Sequence, residues 1–372
     1  VPRLDYTDSS CPALLLEPQR TNLLTQSEYF GDSYWAKSNL SLVQNAIISP
    51  DGALNAAKLV ENTANSIHYI LPPNNTTSGS VTESIYAKYI SRYLRLTIHD
   101  STNPNKWYCV IYDLQNGTIY DEVAKTVTVF DSKIEAASNG FYRCTITADL
   151  GASSSTAFFV QLSDGTPIYL GDDRGRGVYQ GDGTSGIYIW GAQSESGTYP
   201  TSYIPTYGAG SVTRNADSCN GAGTAATFNG SEGVLYAEIG VLDNDGTNRH
   251  IGISDDTNAN RLQIFFNTYP TTQIRTLNLV NNVKYFDMQS NVTLVNGYVK
   301  VAVKYKENDF ALWINGVEAA TDNSGLVWGN NILDTLKFAD GNNASPFYGK
   351  TKQILVFPTA LSDSELATLT TI

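Results

Sequence analysis

The chain has 372 residues, enough for two domains that each bury a core. Its formal charge of −12 argues against a phosphate-binding surface, because nucleic-acid affinity rests on Lys and Arg neutralising the backbone. No apolar run reaches the ~20 residues of a spanning helix, so no membrane insertion is expected, and no signal-peptide pattern opens the chain. The first residue is Val1, not Met, which points to a fragment or a processed product.

Tyr 23, Phe 13 and many Thr, Val and Ile suit pleated surfaces, while Gly 30 with abundant Asn and Asp supplies turns. Asn-Gly begins at Asn116, Asn139, Asn220, Asn229, Asn296 and Asn315, and Asp-Gly at Asp51, Asp164, Asp182, Asp245 and Asp340. These pairs are the strongest short-range hairpin signal in a sequence. The chain therefore reads as all-β.

In chain order, LLLEP forms a first strand that breaks at Glu17-Pro18. Thr25-Gln26-Ser27-Glu28 fits a capping box stapled by Leu24 and Tyr29, so one helical turn is predicted there. Tyr29, Phe30 and Trp35 then cover one end of a core. From Val81 the runs VTESIYAKYI, RYLRLTIHD, KWYCVIYDL, GTIYDEV, FYRCTITAD, TAFFVQLS and GIYIWGAQ read as successive short strands of a sandwich or jelly roll. The glycine-rich loop GDDRGRGVYQGDGTSG (171–186) lacks the Lys-Ser/Thr of a phosphate loop, and is expected to be long, exposed and available for contacts. Periodicity is lost across 211–233. Residues 1–214 are thus assigned to a first domain, 215–228 to a linker and 229–372 to a second. The second series is GVLYAEIGVL, RHIGISDD, RLQIFFNT, TQIRTLNLV, GYVKVAVKY, DFALWINGVEAA, DTLKFAD and GKTKQILVF. A short helix closes the chain, with Ser362 capping, Glu365 reaching back and Leu361 meeting Leu366.

Cys11, Cys109, Cys144 and Cys219 form no C-x-x-C pair, so neither a zinc site nor a thioredoxin-type motif is indicated. Cys109 and Cys144 lie in strand-like runs and read as buried thiols. A bridge between Cys11 and Cys219 is an open expectation.

The succession LLLEPQRTNLL, SIYAKYI, DLQNG, NGFYRCTIT and IYIWGAQSESGTYPTSYIPTYGAGSVTRNAD resembles a jelly-roll domain of bacteriophage tail and other virion proteins, over roughly residues 3 to 217. That family is similar in fold to carbohydrate-binding modules. The segments FALWINGVEAA and GKTKQILVFPTALSDSELATL resemble the concanavalin A-like, laminin-G-type sandwich, over about residues 229 to 372. This superfamily includes lectins, adhesion modules and glycanases, so fold alone does not choose among them.

Catalytic patterns largely fail. Laminarinase-like members carry E-x-D-x-x-E, and the nearest approach, Glu307-Asn308-Asp309-Phe310-Ala311-Leu312, lacks the third acid. Two carboxylates could still meet from separate strands. No nucleophile elbow, zincin helix or P-loop is present, and His68, His99 and His250 have no neighbouring nucleophile. Asp243-Asn244-Asp245-Gly246 is not an EF-hand, but loop oxygens could hold calcium, with Asp243, Asp245, Asp255, Asp256, Asp340 and Asn342 as candidates. Aromatics are the stronger lead, because a flat ring stacks on sugar faces at little entropic cost. Strand alternation sets Leu312 and Ile314 on one face and Trp313 with Asn315 on the other. Trp107 and Trp328, in polar surroundings, complete the ligand-binding candidates Trp107, Trp313, Trp328 and Asn315.

The expectation is a non-enzymatic virion protein, from a tail, tail fibre or head decoration, binding host or environmental glycans. A structural spacer, possible as a homotrimer among other virion proteins, is the alternative, and a polysaccharide depolymerase a third.

Overall fold

The structure is a computed structural model describing residues 3–7, 10–171, 173–243, 246–267 and 272–372. It is all-β, built from two sandwich units with one short α-helix, Asp363–Thr370. The units divide differently from the sequence expectation. Residues 19–215 form one unit, and the other combines the segment up to Pro18 with 216–372. The first unit is thus inserted into the second.

In the split unit a seven-stranded sheet includes Arg3–Asp5 and Ala13–Leu16, and packs on a six-stranded one that includes Asn220–Ala222. The expected strand LLLEP exists, but Leu14, Leu15 and Leu16 pair with Thr351, Lys350 and Gly349 of the strand Gly349–Phe357. Leu14 and Leu16 join the core of this unit, with Leu235, Ile264 and Val301. Alternation predicts which strands are apolar but not which distant strand completes them, so residues 3–18 were placed in the wrong domain. The expected linker is also structured: Asn220–Ala222 pairs with Thr335–Lys337, and Phe228 is buried in the core. Arg3 pairs with both Glu17 and Asp217, and the Asp217 carboxylate accepts the Glu17 N–H at 2.7 Å. The break at Glu17-Pro18 therefore marks the exit into the inserted unit.

Asn315 and Gly316 carry φ of 49° and 85°, the two left-handed residues a type I′ hairpin requires. Ser362 and Glu365 form the capping box expected, with the Ser362 N–H donating to Glu365 at 2.8 Å. Leu361 and Leu366 pack together under that helix.

In the inserted unit the strand Tyr142–Ser163 pairs along its first half with Asn75–Tyr89 and along its second with Tyr93–Asp100, closing the sheet around one core. Two of the expected strands are therefore one. Thr25–Glu28 forms turns and no helix: Glu28 instead accepts the Tyr203 hydroxyl at 2.5 Å and the Tyr207 N–H at 3.1 Å. Phe30 and Trp35 are buried, 4.9 Å apart, but Tyr29 is exposed. Asn22 uses its whole capacity, donating to the carbonyls of Ala192 and Ile204 and accepting the N–H groups of Leu24 and Ser194. The blocks LLLEPQRTNLL and IWGAQ…TSYIPT are in this respect architecture. Cys109 and Cys144 are buried, and no bridge joins Cys11 to Cys219.

The glycine-rich loop lies on the sheet, not free of it. Gly175 has φ +66°, and an added Cβ would sit 2.8 Å from Cys109 Cβ and 2.9 Å from the Trp107 ring. Arg95, 1 % exposed, donates to the carbonyls of Gly175 and Thr166. The glycines let the backbone approach Trp107 and Arg95 closely. Gly175→Ala is expected to cost about 1–3 kcal/mol through overpacking and a disfavoured φ, read as a lower midpoint in urea.

Buried ionisable groups predict a pH response. Glu83 points into the core beside Val81 and Ile85, with the Ser194 hydroxyl donating to one oxygen at 2.9 Å. Burial first, then the charge of Glu195, push its carboxyl well above the ordinary 4.5. The folded state therefore holds a proton that the unfolded state releases, and stability falls as pH rises from about 4.5 through the raised value. Glu83→Gln should raise Tm at pH 8 and converge on the wild type near pH 4. An equal difference at both pH values would contradict this. His99 and His250 act oppositely. Burial pushes each down to about 4 from 6.5, so their contribution, held above pH 6.5, is lost as pH falls toward 4.

Candidate functional site

The strand alternation around Trp313 is as expected: Leu312 and Ile314 enter the sandwich core, and Trp313 faces the other way. That second face is not open. Trp313 packs with Val234, Tyr236 and Leu366 under the closing helix and is 7 % exposed. Trp107 is fully buried beneath the glycine-rich loop, against Cys109, Ile111 and Ile168. Asn315 is committed to its hairpin, accepting the Lys300 N–H at 3.0 Å. Pattern reveals the face of a strand but not what later covers it, so neither these two tryptophans nor Asn315 offers a ligand platform.

The candidate cations' ligands are likewise engaged. The turns after Ser254 and Ala339 abut, the Gly341 Cα lying against the Thr257 carbonyl. Asp255 accepts the Thr257 N–H and hydroxyl and the Asn260 amide. Asp340 accepts the N–H groups of Asn342 and Ala344. Lys337, 3 % exposed, places its ammonium on Asp256 and on the Gly341 carbonyl. Asp243 is half-buried beyond the strand Glu232–Val241, and Asp245 lies outside the described residues. Among the described residues no three His, Cys, Asp or Glu side chains converge.

Trp328 leads to a different place. Its indole N–H donates to the Leu279 carbonyl at 2.5 Å, and its ring meets Tyr305 edge-on, centroids 5.6 Å apart. The Tyr305 hydroxyl donates to the Asn229 carbonyl at 2.8 Å, and burial with the nearby Glu232 charge raises its pKa. The N–H groups of Trp328 and Gly329 both donate to the Gly230 carbonyl, at 3.0 and 3.1 Å. A Cβ on Gly230 would stand 1.8 Å from the Gly329 carbonyl, so only glycine fits this clamp. Asn308, at φ 57°, fastens the neighbouring turn by accepting the Gly325 N–H and donating its own N–H to the Gly325 carbonyl.

These ties frame a cleft of ≈ 550 Å³ lined by Asn229, Ser231, Glu232, Lys306, Glu307 and Trp328, which is 8 % exposed. A smaller depression of ≈ 350 Å³ continues from Asn229 to Asn330 and Asn331. Glu232 and Lys306 are cross-strand neighbours with charged atoms 3.3 Å apart, while Glu307, Ser231, Asn330 and Asn331 are exposed. Amides, carboxylates and a hydroxyl on a rigid frame beside Trp328 can hold vicinal hydroxyls by paired donors and acceptors. A further depression against Phe357, Leu361 and Leu369 is mainly apolar and lacks that chemistry.

No protein-family model and no curated relative matches the chain. Solved structures of similar shape include the Ruminococcus gnavus IT-sialidase CBM40 bound to α2,3-sialyllactose, 16 % identical, covering 42 % of this chain and 97 % of its own, at a TM-score of 0.34. A leech intramolecular trans-sialidase complexed with 2,7-anhydro-Neu5Ac is 20 % identical over 39 % of this chain and 24 % of its own, TM-score 0.33. A heptameric SAP-like pentraxin from Limulus polyphemus is 12 % identical over 41 % and 74 %, TM-score 0.33.

Of the sequence-derived binding candidates only Trp328 lies at this cleft. Glu307 was visible only as the start of a defective acid motif. Asn229, Ser231, Glu232, Lys306, Asn330 and Asn331 were missed. The one local signal was Asn229-Gly230 opposite Trp328-Gly329, two glycine breaks whose meeting the sequence does not show.

Proposed function

We propose that this chain is a non-enzymatic glycan-binding protein that engages sugar at the cleft bounded by Glu232, Glu307 and Trp328. The observation that carries the reading is the clamped Gly230–Gly329 frame, which presents exposed Asn, Ser and Glu side chains beside the packed Trp328. Rigid polar groups lose little entropy on binding, which is what sugar recognition demands. The motif resemblance in residues 3 to 217 supports placing the protein on a bacteriophage particle, as a tail, tail fibre or head-decoration component.

A glycan array followed by calorimetry, with and without calcium, tests the proposal. Two carboxylates face one ammonium at the cleft, so neutral glycans are expected to bind more tightly than their sialylated counterparts. Asn330→Ala and Glu307→Gln should each weaken binding about tenfold, one lost charged or bidentate contact, with Tm unchanged. Silence across neutral bacterial and algal polysaccharides would reject it.

A second reading has its own observation: Glu232 and Glu307 line the same cleft, and a pair of carboxylates is what glycoside hydrolysis uses. New reducing ends released by the wild type, and not by Glu307→Gln, would replace binding by depolymerisation. The spacer alternative is tested by light scattering. Tryptophan quenching does not serve, since Trp107, Trp313 and Trp328 are buried within the chain itself.

A further inference from the structure

Strand Gly186–Ser196 sends Ala192 into the core of the inserted unit and, by alternation, Gln193 and Glu195 to its other face. The segment after Gly197 folds back over that face, and Gln193, Glu195 and Thr201 are 0, 0 and 1 % exposed. One carboxylate bridges the other two side chains. Thr201 Oγ1 donates to Glu195 Oε2 at 2.6 Å, and Gln193 Nε2 donates to Glu195 Oε1 at 2.7 Å. The Gln193 amide oxygen accepts the Ile204 N–H at 2.7 Å, and Gln193 Nε2 lies 3.5 Å from the Thr201 carbonyl oxygen. Arg20 Nε stands 3.7 Å from Glu195 Oε2.

A hydroxyl on a base, an amide whose carbonyl oxygen already has a donor, and a leaving nitrogen on that same base are the parts of an acyl transfer. We propose that Thr201 and Gln193 join spontaneously in the folded chain as an intramolecular ester, with Glu195 as the proton carrier. Glu195 Oε2 takes the proton of Thr201 as Oγ1 attacks Gln193 Cδ, and the oxyanion that forms on Oε1 of Gln193 is held by the Ile204 N–H. Glu195 then passes that proton to Nε2, the Cδ–Nε2 bond breaks, and ammonia leaves. One C–O bond replaces one C–N bond, with no oxidant, reductant or external acyl donor. Exclusion of water from the three side chains protects the product from hydrolysis. The bond clamps the segment 197–204 to the strand it covers, and it is independent of the glycan cleft.

Intact mass spectrometry of the purified, denatured protein is the test. The expected mass is that of the sequence less one ammonia, with Gln193 and Thr201 recovered in one branched or cyclised peptide after digestion. Thr201→Val and Glu195→Gln should show the full calculated mass while keeping the wild-type circular dichroism spectrum, and Thr201→Ser should restore the loss. Asn-Gly pairs can also shed ammonia by closing a succinimide, so a deficit that persists in Thr201→Val belongs to them and overturns the proposal. A wild-type chain of full mass, with Gln193 and Thr201 in unmodified peptides, overturns it equally.

Discussion

Residues 216–372 expressed without residues 3–18 should fail to fold cooperatively, whereas residues 19–215 alone should give a single sharp thermal transition. The first piece loses the strand Ala13–Leu16, and with it Leu14 and Leu16 from the core and the pairing partner of Gly349, Lys350 and Thr351. Burying each leucine contributes about 1.5–3 kcal/mol, and the abandoned strand edge becomes a template for association. Arg3, which pairs with Asp217, is lost as well. Together these approach the 5–15 kcal/mol that a domain has in total. Circular dichroism melts and size exclusion read the result, and a peptide of residues 3–18 added in excess should rescue the truncated piece. A melt of 216–372 matching that of the full chain would show that the split assignment is wrong.

Trp328→Ala is the second large effect, because it removes wall and foundation of the cleft together. The ring is almost wholly packed, against Tyr305 among others, and its N–H satisfies the Leu279 carbonyl. Truncation should cost about 3–5 kcal/mol, so binding and Tm fall together. Asn330→Ala is the contrasting variant, with an exposed side chain, and it should separate the two by reducing affinity alone. If Trp328→Ala bound glycan as well as the wild type at a temperature where both are folded, the cleft would not be the binding site.

Much of the architecture was legible because it depends on local grammar. Asn315-Gly316 demanded its hairpin, Ser362 and Glu365 their cap, and alternation correctly sorted Leu312 and Ile314 from Trp313. The errors share one cause. Thr25–Glu28 has the letters of a capping box, yet Tyr203 and Tyr207, almost 180 residues away, take the Glu28 carboxylate. Trp107 sits among polar neighbours in sequence, yet a glycine-rich loop seals it. The candidate cleft was illegible for the same reason: Gly230 and Gly329 acquire meaning only once their backbones touch.

The insertion after Pro18 also governs the order in which the molecule can assemble. Ala13–Leu16 can pair only with the neighbouring Arg3–Asp5 until Gly349–Phe357 exists, so this early hairpin is among the last elements to dock. Closing that long loop is an entropic cost which earlier collapse of residues 19–215 would shorten. Substitutions that slow folding of the inserted unit should therefore delay burial of Leu14 and Leu16, a kinetic defect appearing far from the altered residue.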